Sequence, residues 1–134
     1  MTMGAVVART RWRDQRALRA IHLMLAADCR DMSPSLEETK LSRALDKPRR
    51  LVQQGDADAI HLAAGYAVSI ARCHALASGN AALALAALGT VLGVGGMRLE
   101  CTEAEAAAVM RALEAGWIGA ADIEAWTREY AVPV

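Results

Sequence analysis

Three histidines and three cysteines are the side chains of this 134-residue chain most able to move protons, attack as nucleophiles or hold a soft metal. His22 and His61 stand in segments of helical pattern, without Cys, Asp or Glu at the paired spacing of a metal site, so they read as ordinary core or surface histidines. Cys29, Cys73 and Cys101 are odd in number and widely spaced, and no CxxC pair occurs. They read as free buried thiols in a reducing compartment, which places the protein in the cytoplasm. Cys73 directly precedes His74, the third histidine, but adjacent side chains point apart and make a poor thiolate–imidazole pair. Arg9, Arg11, Arg13, Arg16 and Arg19 form a local basic cluster, which reads as a solvated helix face or as a docking surface for an acidic partner segment. Trp117, Trp126 and Tyr130 read as core or as a protein–protein contact.

Composition bounds what these residues can serve. Fifteen Lys+Arg balance fifteen Asp+Glu, which argues against a nucleic-acid partner held by bulk electrostatics. An apolar content of 54% with 22% charged residues is that of a globular chain. There is no Phe, and only three Trp and two Tyr, so the core is built from Ala, Leu, Val and Ile. Such a core favours closely packed helices over a strand sandwich. Arg9, Arg11 and Arg13 interrupt the mildly apolar N-terminus before a signal-peptide core forms. Ala81–Val94 is shorter than the roughly twenty residues of a membrane span, so no membrane partner is expected. Residues 1–12 read as a partly flexible N-terminal segment, and residues 13–134 as one all-α domain.

Leu18, Ile21, His22, Leu25 and Cys29 recur at helical spacing, which predicts an amphipathic helix over Arg13–Asp28, broken at Ser33-Pro34-Ser35. Ser35 and Glu38 are spaced as a capping box for a helix to about Leu45. Lys47-Pro48 stops it, since the residue before proline is pushed out of the α region. Arg49 to Asp56 is then expected to be a short extended flap or hairpin. A helix with many small residues follows over Asp58–Cys73, then a loop from His74 to Asn80. Asn80 is expected to cap a helix over Ala81–Leu92 that is apolar almost all round and ends at Gly95-Gly96. Thr102 with Glu105 opens a helix ending at Gly116, and a last helix covers Ala120–Tyr130 with Ile123, Trp126 and Tyr130 inward.

The order of these elements, with Ala63-Ala64-Gly65-Tyr66, then Ile70 to Cys73, then His74-Ala75-Leu76-Ala77-Ser78-Gly79-Asn80 and an apolar helix closed by Gly95-Gly96, resembles the Fic/Doc family. The likeness runs from about Leu18 to Tyr130 and is greatest to the small death-on-curing branch. It implies a compact Fic/Doc-like helical bundle with a short extended flap, here Leu45 to Asp56. It also implies transfer of a nucleotide or a phosphate from a nucleoside triphosphate to a protein hydroxyl, with ATP and Mg²⁺ as cofactors. His74 stands at the family's general base, a role suited to an imidazole that titrates near neutrality. Ser78, Gly79 and Asn80 stand where the family cradles phosphate at a helix start. Arg49 and Arg50 fall in the flap, where a target would dock.

The matches stop there. Ser78 replaces the acidic Mg²⁺ ligand, Ala81 and Ala82 replace the Lys-Arg pair that neutralises phosphate, and Leu76 replaces the loop-anchoring Phe. An Arg on the developing charge of phosphoryl transfer is worth about 10³–10⁵ in rate, whereas a bare helix end offers an anion about 0.3–2 kcal/mol. The residues therefore point to a catalytically impaired relative acting by protein binding. Its partner would be an antitoxin or a target, elongation factor Tu by the family likeness, and a homodimer is also compatible. An active enzyme of altered chemistry using His74, and a growth-inhibiting toxin that sequesters its target, are the alternatives.

Overall fold

A computed structural model describes residues 38–54, 58–76 and 79–134. The expected helix over Arg13–Asp28, the Ser35 cap, the arginine cluster at residues 9–19, Cys29, Gly55-Asp56 and Ser78 lie outside the described residues. Within them the chain runs α1 (Glu38–Gln54), α2 (Ala59–Cys73), α3 (Asn80–Val94), β1 (Met97–Leu99), α4 (Glu103–Glu114), α5 (Ala120–Tyr130) and β2 (Ala131–Pro133). The all-α class expected from composition is the class observed. No helix among the described residues is long and apolar enough to cross a membrane.

Small side chains let α2 serve as the axis of the bundle. Ala63, Ala67 and Ala71 are fully buried on it beside Leu62, Tyr66 and Ile70. It packs against α1, α3, α4 and α5, with the largest interface to α3. At Gly65 a Cβ would stand 3.2 Å from Leu51 Cδ1, so the glycine sets how near α1 approaches. The inner face of α3 supplies Leu83, Leu88, Val91 and Leu92, all fully buried. Its outer face is not covered as its all-round apolar pattern suggested: Ala82, Gly89 and Gly93 are exposed. Met110 and Leu113 of α4 and Ile123 of α5 close the core.

The extended flap is replaced by helix. α1 continues through Pro48 to Gln54, so Arg49 and Arg50 are helical residues. Proline costs an interior helix about 3 kcal/mol, because it lacks the amide and crowds the carbonyl one turn back. Here Leu41, Leu45 and Pro48 fall on one face, and all are buried, with Leu51 half-buried on the next turn. Burial of that stripe against α2 outweighs the local penalty.

The ends of the other helices follow local chemistry. The Asp58 carboxylate caps α2, accepting the His61 N–H at 2.7 Å. Thr102 and Glu105 form the expected reciprocal box, with Glu105 N–H to Thr102 Oγ1 at 3.1 Å and Thr102 N–H to Glu105 Oε2 at 3.3 Å. Gly96 and Gly116 take positive φ of 77° and 82° past the ends of α3 and α4. A feature absent from the sequence reading is the antiparallel ribbon of β1 and β2, in register Met97↔Pro133, Arg98↔Val132 and Leu99↔Ala131. It fastens the last residues of the chain beside the end of α3. Trp117 is 82% exposed and so does not join the core, whereas Trp126 and Tyr130 are half-buried with ring centroids 5.6 Å apart.

A charged clasp links α2 to α5. Arg128 Nη1 donates to Asp58 Oδ2 at 3.2 Å, His61 Nδ1 contacts Glu124 Oε1, and Arg128 Nη2 lies 3.8 Å from Glu124 Oε2. Burial pushes the Asp58 carboxyl up, but the His61 amide and the Arg128 guanidinium outweigh it and hold the group below its ordinary 3.8.

Two outcomes follow from these contacts. Pro48→Ala restores an amide to the α1 ladder, worth about 3 kcal/mol, against about 1.6 kcal/mol for two buried methylenes lost. The thermal midpoint is therefore expected to rise, and a fall would show that the proline ring is held by packing stronger than burial area accounts for. Because folding lowers the Asp58 pKa, its contribution to stability is complete above the unfolded value and is lost as pH falls through the lower, folded one. Denaturant titrations from pH 6 to pH 2 should therefore show a steeper acid loss for the wild type than for Asp58→Asn, and parallel curves would refute the assignment.

Candidate functional site

The loop between α2 and α3 is fixed from both ends. α2 ends at Cys73, and His74 turns the chain with φ 51° and ψ 38°, the left-handed conformation. It is the one non-glycine residue with positive φ among the described residues. Glycine takes this position most readily, and for an L-residue the conformation costs about 1–2 kcal/mol. The His74 side chain is exposed, and no described residue hydrogen-bonds or pairs with its imidazole. Ala75 and Leu76 turn inward and are buried, so Leu76 plugs the core as an apolar anchor.

At the far end Gly79, with φ 90° and ψ 10°, stands at the N-cap of α3. Asn80 is not the cap expected from its residue type. It is the first helical residue, 4% exposed, and its amide faces back along the loop. Asn80 Nδ2 donates to the Leu76 carbonyl at 2.9 Å, and the Leu76 N–H donates to Asn80 Oδ1 at 3.1 Å. One side chain thereby satisfies both backbone groups of a buried residue, as a strand partner would. This is why the position needs an amide.

The start of α3 opens on a cleft of about 330 Å³, lined by Gly79, Ala81, Ala82 and Leu85 with Arg111 and Glu114 of α4. The α3 residues offer backbone amides and methyl groups only. Arg111 and Glu114 bring opposite charges to the same wall, so the carboxylate opposes any phosphate that the guanidinium attracts. Hard-cation binding calls for several oxygen ligands, and among the described residues no group of three His, Cys, Asp or Glu is placed to hold a metal. The described side chains thus do not fit a Mg²⁺–triphosphate.

The remaining sequence candidates lie elsewhere. α1 runs antiparallel to α2: Leu51 meets Gly65 near one end, and Lys40 lines the same groove as Cys73 near the other. Arg49 and Arg50 belong to the Leu51 end, away from the His74 loop. Arg49 Nη1 bonds Asp46 Oδ1 at 3.4 Å, and its cation partly offsets the rise that burial imposes on the Tyr66 phenol. Arg50 is exposed. Burial pushes the Cys73 thiol up, and its Sγ–H donates to the Ile70 carbonyl at 3.2 Å, so it is a poor nucleophile. Sequence reasoning missed the basic residues that do stand together, Lys40, Arg43, Lys47 and Arg72. Lys40, Arg43 and Lys47 share the i, i+3, i+7 spacing of one helix face, which a helix ending at about Leu45 cuts short before Lys47, and Arg72 joins them only through the packing of α2 on α1.

Compared with known families and curated sequences, the chain matches no family model and no curated protein.

The loop geometry fixes two outcomes. Asn80→Leu keeps the volume but strands the N–H and C=O of Leu76, each worth about 1–3 kcal/mol when buried without a partner. Urea denaturation should show that loss, and near-wild-type stability would mean that solvent reaches Leu76. His74→Gly relieves the left-handed strain and is expected to raise stability by about 1 kcal/mol.

Proposed function

We propose that the chain is a cytoplasmic protein-binding domain, built on a Fic/Doc-like arrangement of helices without that family's transfer chemistry. The observation that carries this reading is the start of α3, where the Asn80 amide is spent on Leu76 and Ala81 and Ala82 present no charge to a phosphate. Among the described residues His74 has no orienting partner of the kind an efficient general base uses. The partner would be a protein, an antitoxin or a former target such as elongation factor Tu. The cytoplasmic assignment rests on three cysteines with no paired spacing.

The left-handed backbone at His74 favours one second reading, an enzyme of altered chemistry with His74 as base, since strain of this kind gathers at functional sites. Titration calorimetry with ATP and GTP, with and without Mg²⁺, separates the two when run beside label transfer from ATP. Binding by a non-catalytic domain gives no heat at millimolar nucleotide and no labelled protein. Label transfer that disappears in His74→Ala would establish the enzyme and overturn the first reading.

A further inference from the structure

Between α1 and α2 lies an open groove of about 360 Å³ unrelated to the α3 start. Lys40, Arg43 and Lys47 line it from α1 and Arg72 from the last turn of α2, over a floor that includes Ser69 and Cys73. Among the described residues that line it, none carries a carboxylate. The α1 cations occupy one face and span about 10 Å along the axis, at 1.5 Å per residue. Arg72 is fixed in place, its Nη2 donating to the Ile118 carbonyl at 2.9 Å. Arg43, Lys47 and Arg72 bring like charges to one wall, and an anion in the groove would relieve their repulsion.

The groove does not end at its basic section. Lys47 and Ser69 also line a narrower cleft of about 120 Å³ that runs on between α1, α2 and α5. There Leu51, Ala64 and Val68 give apolar walls, and Glu124 of α5, in contact with His61, stands at the far side. An occupant of both sections is therefore anionic along one stretch and apolar along the next. A nucleic-acid strand carries charge at every residue and would bring phosphate against Glu124, and the chain as a whole has no net charge to attract it.

We propose that the α1–α2 groove docks an acidic peptide segment of a partner protein, its carboxylates on Arg43, Lys47 and Arg72 and its following apolar residues against Leu51 and Val68. This rests on the protein-binding reading given above and names the chemistry of the partner.

The test is fluorescence anisotropy of the full chain with a fluorescein-labelled peptide of four glutamates followed by two leucines. Saturable binding is expected, weakened at least tenfold by the double charge reversal Arg43→Glu/Lys47→Glu and by raising the salt several-fold. Both positions are exposed helix residues, and circular dichroism checks that the variant folds. Changing the leucines to serines should weaken binding with the charge unchanged. Bound peptide should also slow alkylation of Cys73 relative to Cys101. Absence of binding at millimolar peptide, equal binding by the reversed variant, or tighter binding of a single-stranded oligonucleotide of equal charge would overturn the proposal. Label transfer from ATP would instead overturn the non-catalytic reading and leave the groove measurement standing.

Discussion

Close approach of helices around α2 is the constraint on which the rest of this structure depends. With no Phe in the chain, core volume cannot come from a few large side chains, and packing must come from short distances between backbones. Alanines along α2 and Gly65 facing Leu51 provide those distances. Four helices can then share one axis, and the larger aliphatic residues of α3, α4 and α5 fill the remaining space. Tyr66 is the exception, a fully buried phenol in the middle of the axis. Burial keeps it protonated, which suits a group taken out of water.

The same constraint governs the loop after α2. Because α2 and α3 lie close together, the connection between them is short, and it must reverse direction while keeping Ala75 and Leu76 inside. A left-handed His74 at one end and a left-handed Gly79 at the other supply the reversal. The two bonds of the Asn80 amide then replace the water that Leu76 gives up. Strain and satisfaction sit side by side: the loop tolerates an unfavourable residue at position 74 because both of its ends are packed helices.

Much of this was legible in the residues. Periodicity and caps locate α2, α3, α4 and α5, since Asp58, Thr102 with Glu105, Gly96 and Gly116 act locally and their effects are the same in any context. What depends on distant partners was not legible. Pro48 reads as a helix stop because its local cost is certain, while the compensating burial of Leu41, Leu45 and Pro48 exists only once α2 is present. Asn80 reads as a cap because the alternative, a bond back to Leu76, requires knowing that Leu76 is buried. The β1–β2 ribbon joins residues more than thirty positions apart through segments of three residues each, too short to show a period.

The misreading of α1 also hid the charge arrangement. A helix ending at about Leu45, followed by a flap from Arg49, assigns Arg49 and Arg50 to a docking edge and leaves Lys47 at the break, apart from Lys40 and Arg43. As one helix, α1 carries Lys40, Arg43 and Lys47 along a single groove and turns Arg49 toward Asp46 and Tyr66. In the C-terminal part, by contrast, carboxylates outnumber arginines, from Glu100 and Glu103 through to Glu129. A chain neutral as a whole is thus locally polarised, and zero net charge conceals it. The packing of α1 against α2 brings Arg72 beside the basic face of α1 and makes a surface of one sign, so the electrostatic character of this protein is a property of its packing rather than of its composition.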